Sequence, residues 1–283
     1  TVTVNSWVAV GRGGAGSGTW NMSGGSFTKN GNSGNHFILG SGGGLGTLNQ
    51  TGGTITSVLS DTWIGENSDG IWNQSGGNTI LSVLHIAQNG GRVASYNLSS
   101  TGTLTVGEIT TGNASSSSTL NVDGGTIKAD TGANANFLHG LTAANIQTGG
   151  VTIDSGTNTI GISQSLLAGT GSGGLNKTGN GTLYLNGVNT YTGTTLVSQG
   201  ALGGTGTIAG PVSVAAGATF VNDVAAFTFD PALRDVRVLM MTARGSVMER
   251  RKGLALGADG FIAKPFELSE LRSEMARLLA PPC

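Results

Sequence analysis

The chain has 283 residues, 51 of them glycine, with 10% charged residues and a formal net charge of -1. This near-neutral balance argues against a nucleic-acid partner and against electrostatic attachment to an anionic membrane. The single cysteine, Cys283, excludes a disulfide framework and a cysteine-based metal site. The chain contains no run of eighteen apolar residues, so no membrane span is predicted. No sequence motif indicates a cofactor.

A short motif recurs through the first half of the chain: an asparagine followed three and four residues later by a glycine pair. The asparagines at positions 49, 73, 97 and 121 are evenly spaced, and this fixed period predicts units that bury their apolar faces by stacking. Glycine readily adopts positive φ and asparagine tolerates it. We therefore interpret these residues as structural corners: Asn21, Asn49, Asn73, Asn97, Asn121, Gly24, Gly52, Gly76, Gly124 and Gly149.

Each unit is predicted to contain two short strands. One is an apolar run that ends in a small residue, as at 7–11 and 62–65, and the other alternates around the asparagine, as at 47–50. Units of this length leave no room for a crossover helix, so equivalent strands must pair in parallel as a β-solenoid. Like side chains then stack roughly 4.8 Å apart, which allows asparagine and threonine to form hydrogen-bonded ladders.

Residues 174–195 read Gly-Leu-Asn-Lys-Thr-Gly-Asn-Gly-Thr-Leu-Tyr-Leu-Asn-Gly-Val-Asn-Thr-Tyr-Thr-Gly-Thr-Thr. This stretch resembles the autotransporter-associated β-strand repeat, with its lysine-x-glycine-x-glycine turn and its asparagine-threonine-tyrosine-threonine-glycine segment, and the resemblance continues to residue 219. It implies that residues 1–229 form a right-handed parallel β-helix, the passenger stalk of an exported bacterial surface protein. Localisation at the cell surface or outside the cell follows from the resemblance. Neither an export signal nor the membrane barrel of such proteins is evident in the chain, so we expect the signal to lie upstream.

The composition changes near residue 229. Residues 230–283 hold nine of the fourteen lysines and arginines but only four glycines, which predicts a domain boundary. Apolar spacing in this tail predicts strands at 236–241 and 260–263 and a helix at 247–256. It also predicts an amphipathic helix at 267–279 whose apolar face carries Leu268, Leu271, Met275, Leu278 and Leu279.

The tail is similar to the second half of a response-regulator receiver domain, a partial flavodoxin-like β-α-β-α segment. The motifs that carry the resemblance are Met241-Thr242-Ala243-Arg244, Gly257-Ala258-Asp259-Gly260-Phe261 and Lys264-Pro265-Phe266. The resemblance implies that the Thr242 hydroxyl and the Ala243 amide contact a phosphoryl group, that the Lys264 ammonium pairs with it, and that Phe261 is the aromatic switch. It also implies a cis peptide at Lys264-Pro265 and a cytoplasmic setting for the relatives of the tail.

The phosphoacceptor aspartate and the magnesium-binding acidic pair of that family lie on its first and third strands. Upstream of Asp230 the chain has the solenoid instead, and Asp223 is too close to Thr242 to substitute. Without these carboxylates phosphoryl transfer has no nucleophile and no metal ligands, so the tail is interpreted as a remnant. Because residues 230–283 bury little apolar area alone, we expect them either to cover the open end of the solenoid or to be loosely ordered.

Other candidate sites are weaker. His36, His85 and His139 fall on different coils with no evident carboxylate partner, which favours a structural role. Asp61, Glu66 and Asp69 are interpreted as a solvated acidic turn, with a weak cation site as the alternative.

These observations predict a non-enzymatic surface-display β-helix, an adhesin or passenger stalk, whose partners are surface glycans or neighbouring passenger proteins. One alternative is a protein of phosphorelay signal transduction that acts through its tail. A second is a polysaccharide-binding or polysaccharide-cleaving β-helix, for which cleavage needs clustered carboxylates on neighbouring coils.

Overall fold

The computed structural model describes residues 1–14, 16–32, 34–171, 173–220, 239–242 and 258–279. Contacts divide the chain into two compact units, Thr1–Phe229 and Asp230–Cys283. The first unit is built from short strands: β1 (Val2–Val4), β2 (Val8–Arg12), β3 (Gly18–Met22), β4 (Ser26–Lys29), β5 (Phe37–Ser41), β6 (Gly46–Gln50), β7 (Thr54–Ser57), β8 (Thr62–Ile64), β9 (Gly70–Gln74), β10 (Asn78–Ile86), β11 (Val93–Thr110), β12 (Ser117–Ala129), β13 (Ala143–Ile146), β14 (Val151–Asp154), β15 (Thr159–Ile162), β16 (Leu166–Ala168), β17 (Leu175–Thr178), β18 (Thr182–Leu185), β19 (Val188–Asn189), β20 (Thr195–Val197), β21 (Ala201–Gly203), β22 (Thr207–Ile208), β23 (Val212–Val214) and β24 (Thr219–Phe220).

These strands stack in three parallel columns, which we call faces 1, 2 and 3. Face 1 begins β1, β4, β7 and β10, face 2 begins β2, β5, β8 and the second half of β10, and face 3 begins β3, β6, β9 and β11. The columns continue in the same order to β23, β24 and β22. The predicted parallel β-solenoid is therefore confirmed.

The number of strands in each coil differs from the prediction. A coil of the N-terminal part has three strands rather than two, because face 1 adds a separate strand after each glycine pair. That strand is only four residues long in β4 and β7, so its alternation is too short to stand out in the sequence. Leu104 begins another apolar run that ends in a small residue, but it lies on face 1, where it pairs with Thr79.

The interior is filled by the inward side of each strand. Near the start of the solenoid, aromatic rings pack in series, with centroid distances of 4.9 Å for Trp20 and Phe27, 5.6 Å for Phe27 and Phe37, and 5.6 Å for Phe37 and Trp72. Tyr96 continues the series 5.3 Å from Trp72. Beyond Tyr96, leucine, isoleucine and valine occupy most of the interior. Burying this apolar area supplies most of the stabilisation of the stack.

Glycine occupies the point where face 2 ends and the chain turns towards face 3 in the first three coils, and Ala87 takes the same place with a φ of 63° in the fourth. Gly40 has a φ of 82°, and a Cβ atom there would lie 2.1 Å from the backbone oxygen of Asp69 on the next coil. Gly11 and Gly65 occupy the same place on adjacent coils, with φ values of 69° and 75°. A side chain at Gly40 would therefore strain the backbone and separate the coils.

Coil length decreases along the solenoid, as the residue numbers of paired strands on face 1 show. Early in the stack Ile55 pairs with Thr79. The offset along the chain becomes clearly smaller in the last coils, where Lys177 pairs with Val197 and Val197 pairs in turn with Val214. The later coils thus keep the parallel pairing with shorter connections.

In the second unit, β25 (Leu239–Thr242) pairs in parallel with β26 (Gly260–Ala263), and α1 (Leu268–Leu279) follows. The predicted strand at 260–263 and the C-terminal helix are confirmed, whereas the helix predicted at 247–256 lies outside the described residues. Ile262 and Leu278 are buried. Leu268 and Met275, which lie on the apolar face predicted for this helix, are 61% and 46% exposed.

Candidate functional site

The asparagines of the repeat form a ladder along the outer side of face 3. Each Nδ2 donates to the Oδ1 of the asparagine on the preceding coil, at 2.8 or 2.9 Å, and we call this set the asparagine ladder: Asn21, Asn49, Asn73, Asn97, Asn121 and Asn145. All six lie within strands, so the interpretation of the first five as corner residues is wrong. The reason is geometric: identical side chains reach each other only where the backbone register is fixed by strand pairing.

Sequence reasoning missed Asn145, the last member of the asparagine ladder. It follows Asn121 at the same spacing that separates the earlier members, and the two are paired directly in β12 and β13. The glycine pair after it comes one residue late, at 149–150, which hid the repeat. The asparagine spacing by itself contains the signal that identifies Asn145.

The glycine pairs lie where face 3 passes into face 1, and their two members have different roles. The second glycine of the pair has positive φ, as at Gly53 (76°) and Gly77 (71°). The first approaches the preceding coil closely, since a Cβ at Gly52 or Gly76 would lie 2.5 or 2.4 Å from a backbone oxygen. Gly149 has the same close approach, Gly124 itself has a φ of 90°, and Gly24 faces open space.

Two histidines on the outer side of face 2 pair with carboxylates. His85 Nε2 lies 3.3 Å from Asp61 Oδ2, and His139 Nε2 lies 2.9 Å from Glu108 Oε1. The prediction that these histidines have no carboxylate partner is therefore wrong. Their partners precede them by 24 and 31 residues and become neighbours only through stacking. The hydrogen bond from His85 holds the pKa of Asp61 below its ordinary value, and burial of the carboxyl partly opposes this.

The start of face 2 carries a groove of about 460 Å³. We call it the face-2 groove, and it is lined by Trp7, Arg12, Gly34, His36, Ile38, Ser41, Trp63 and Glu66. The guanidinium carbon of Arg12 lies 4.3 Å from the ring centroid of Trp7, a cation–π contact. The ring of His36 stacks on Trp63 at 3.6 Å, while the Ser41 hydroxyl donates to Glu66 Oε2 at 2.5 Å.

The acidic residues named as a possible cation site have separate partners. Asp61 bonds His85, Glu66 accepts from Ser41, and Asp69 accepts the backbone N–H of Val93 at 2.9 Å. Among the residues that the structure describes, no group of three or more metal-ligating side chains is placed to hold an ion.

The later coils hold polar side chains in their interior. Lys177 is fully buried, and its ammonium donates to the backbone oxygens of Thr178, Gly179 and Gln199 at 2.7, 2.8 and 3.1 Å. Burial lowers the pKa of Lys177 to about 8, with Asp154 acting in the opposite direction. The lysine of the lysine-x-glycine-x-glycine turn thus points into the solenoid and holds the turn through hydrogen bonds to its backbone oxygens.

Asn189 and Tyr191 complete this interior set. The Asn189 side chain donates to the backbone oxygens of Gly187 and Thr207, both at 2.9 Å, and accepts the N–H of Leu166 at 3.0 Å. Tyr191 is buried with its hydroxyl 2.6 Å from Thr195 Oγ1, and burial raises its pKa to about 12. These residues therefore support the coil from its interior.

In the second unit, strand pairing brings part of the receiver-like motif together. Thr242 pairs with Ala263, so Lys264 follows directly after the partner of Thr242 at the same end of the two strands. Lys264 is exposed, Phe261 is partly buried, and the Lys264–Pro265 peptide is cis. Ala243 lies outside the described residues, so the phosphoryl-contact set of Thr242, Ala243 and Lys264 stays a prediction, as does the switch role of Phe261.

Comparison with known proteins gives two kinds of similarity. Residues 175–203 match the family model of the passenger-associated transport repeat, a segment that contains Lys177, Asn189 and Tyr191. A second, short similarity is to response regulators: 52% identity over 42 residues to the transcriptional regulatory protein TctD of Salmonella typhimurium, covering 15% of this chain and 19% of that protein. The response regulator MprA of Mycobacterium avium is 51% identical over 45 residues, covering 16% and 20%.

The chain therefore spans about a fifth of the length of the curated relatives it matches. No solved structure matches it. Within the described part of the chain, no helix is long and apolar enough to cross a membrane. The fold and the repeat together define a parallel β-solenoid that carries an autotransporter-type passenger repeat.

Proposed function

We propose that residues 1–229 act as a non-enzymatic passenger stalk displayed at the cell surface. The observation that carries this proposal is that the passenger repeat at 175–203 forms coils of a solenoid whose three columns are already established at β1, β2 and β3. The characteristic side chains of the repeat, Lys177 and Asn189, point inward to backbone groups. The motif therefore serves architecture, and recognition is left to the outer faces.

A stacked solenoid suits this role because each coil is held by its neighbours. Parallel pairing, the asparagine ladder and the aromatic interior all act between adjacent coils, so stability does not depend on a compact shape. The outer side chains of the coils are then available for adhesion to surface glycans or to neighbouring passenger proteins.

Surface display is tested on intact cells that produce the protein. Proteinase K treatment is followed by detection with an antibody against residues 1–229, with a cytoplasmic enzyme as the internal control. We expect the antigen to be lost or trimmed while the cytoplasmic enzyme survives. Full protection of the antigen until the cells are lysed would contradict display.

For residues 230–283 we infer a receiver remnant that does not undergo phosphorylation. The matches to response regulators, 42 and 45 residues long, are shorter than this tail, and the family motifs around Thr242 and Lys264 lie in it. No aspartate precedes them at the family's spacing, so the group that accepts the phosphoryl is missing.

This inference is tested by incubating the full chain with radiolabelled acetyl phosphate and Mg²⁺, beside an intact receiver domain as the positive control. The expected result is no acid-labile protein label. Stoichiometric label on the chain would refute the inference and favour the phosphorelay alternative.

A further inference from the structure

We propose that the face-2 groove binds a neutral oligosaccharide of pyranose units. This deepens the proposed function by naming a ligand class for the outer surface of the stalk, and it rests on that function only for its biological setting. The groove has a volume of about 460 Å³, within the roughly 300–1,000 Å³ of small-ligand sites.

Two indole rings provide the apolar part of the site. Trp7 is 41% exposed, so part of its indole ring is accessible to a ligand. Trp63 lies two coils further along face 2, and its ring is held by stacking on His36 of the coil between them. Pyranose rings have one apolar face of C–H groups, and rigid indole rings offer flat apolar surface with little loss of side-chain entropy on binding.

Polar groups converge beside these rings. The Glu66 carboxylate is oriented by the hydroxyl of Ser41, which is itself buried, and the Arg12 guanidinium is oriented by its contact with Trp7. Carboxylate and guanidinium groups form bidentate, charge-assisted hydrogen bonds, which suit pairs of adjacent hydroxyl groups on a sugar. Because their side chains are already held in place, less ordering entropy is lost when a ligand binds.

The charge and topology of the groove disfavour other ligand classes. One cation and one carboxylate side by side give no net positive field, so phosphate-bearing ligands and acidic glycans gain no net attraction. Extended peptides commonly bind by adding a strand to a sheet edge. In the middle of the groove β5 is already paired on both sides, with β2 and β8, so a ligand there meets side chains; the outer edge of β2 is the one place where a peptide strand could add.

The outer side of face 2 extends the site along the solenoid. The pairs Asp61–His85 and Glu108–His139 lie on the following coils and are partly exposed, with His139 and Glu108 at 34% and 32% side-chain exposure. Successive coils are roughly 4.8 Å apart, so a linear oligosaccharide lying along face 2 meets a polar pair at regular intervals. Affinity should accordingly increase with chain length.

The test uses the purified full chain and isothermal titration with a panel of neutral hexasaccharides: cellohexaose, xylohexaose, laminarihexaose, mannohexaose and chitohexaose. We expect saturable binding of at least one of them, tighter than that of its disaccharide. Trp7→Ala should weaken binding at least tenfold, and Glu66→Gln severalfold. Leu59→Ala, at a 56% exposed apolar residue that does not line the face-2 groove, is the matched control and should leave affinity unchanged.

Circular dichroism and urea unfolding of each variant establish that it remains folded, and the conservative Trp7→Phe variant should restore part of the affinity. The proposal is overturned if no member of the panel binds, if Trp7→Ala and Glu66→Gln bind as tightly as Leu59→Ala, or if only anionic polygalacturonate binds. Binding in solution and display on cells are measured separately, so a failure of one is distinguishable from a failure of the other.

Discussion

The early and late coils of the solenoid satisfy their polar groups in different places. Along face 3, from Asn21 to Asn145, hydrogen bonds run between identical side chains on the outer surface. In the later coils Lys177 and Asn189 donate hydrogen bonds to backbone oxygens from inside the solenoid. The early coils bond the backbone from inside as well, through buried Lys29, Gln50 and Gln74, so what distinguishes them is the additional outer ladder.

The two regions also differ in coil length. Paired residues of adjacent coils are farther apart in the chain early in the solenoid, as with Ile55 and Thr79, than late in it, as with Val197 and Val214. The late connections are therefore shorter. In both regions a buried carbonyl without a donor costs free energy, and a long or amide side chain in the interior supplies that donor. The comparison teaches that interior donors serve the whole parallel stack, whereas the outer asparagine ladder belongs to its early coils.

The largest expected effect is at Asn189. Replacing it with alanine leaves three buried backbone groups, the N–H of Leu166 and the oxygens of Gly187 and Thr207, without their side-chain partner. At about 1 kcal/mol or more for each group, we expect a loss of about 3 kcal/mol in the free energy of unfolding. Urea unfolding measures it, and hydrogen exchange at Leu166 should accelerate. Asn136→Ala, at an exposed asparagine, is the control. Equal losses in the free energy of unfolding at Asn189 and Asn136 would contradict the role assigned to interior hydrogen bonds.

Lys177→Met is expected to cost about 2 kcal/mol at pH 7, since three carbonyl oxygens lose their donor while the cost of burying a charge is relieved. Because its pKa is lowered to about 8 from 10.5, the folded protein binds this proton less readily than the unfolded chain. Wild-type stability from this group therefore rises with pH between about 8 and 10.5, by on the order of 1 kcal/mol per unit.

The measurement is the difference in unfolding free energy between wild type and Lys177→Met at several pH values from 7 to about 10. That difference should grow as pH increases. A difference that is constant with pH would mean that the lysine is not held in the interior. Lys128→Met serves as the control, because its side chain is 49% exposed and pairs with Asp154 at 3.7 Å.

The outer ladder should contribute less per residue. Asn97→Ala removes two hydrogen bonds of the asparagine ladder and a longer one to Ser95 in a partly exposed position, for an expected loss of about 1 kcal/mol. Asn21→Ala, at the exposed end of the asparagine ladder, removes only the bond from Asn49 and should cost less than half as much. Urea midpoints of the two variants provide the measurement, and an effect at Asn97 as large as that at Asn189 would contradict the contrast between outer and inner bonding.

The sequence predicted the parallel solenoid because strand periodicity, coil length and turn glycines are local properties. Sequence reasoning failed at the asparagines. Their tolerance of positive φ suggested corner positions, whereas each one forms a hydrogen bond with the asparagine of the adjacent coil. The pairing of His85 with Asp61 was missed for the same reason, because the partners are 24 residues apart and meet only after stacking. The inward direction of Lys177 was also hidden, since a lysine in a polar turn motif suggests an exposed side chain.

The last prediction has a small expected effect and concerns the stability that the pair of Asp61 and His85 contributes at acidic pH. The pKa of Asp61 is lowered chiefly by its hydrogen bond from His85, so the folded state binds the proton less readily than the unfolded chain. The resulting stability is present above the ordinary pKa of 3.8 and is lost as pH falls through the folded value. The Asp61 side chain is 40% exposed, so solvent screening limits the contribution to about 0.5 kcal/mol.

A double-mutant cycle of Asp61→Asn and His85→Gln, measured by urea unfolding from pH 6 down to about 3, isolates the coupling free energy between the two side chains. Coupling that persists undiminished at the lowest pH would show that the two side chains interact by packing rather than by charge.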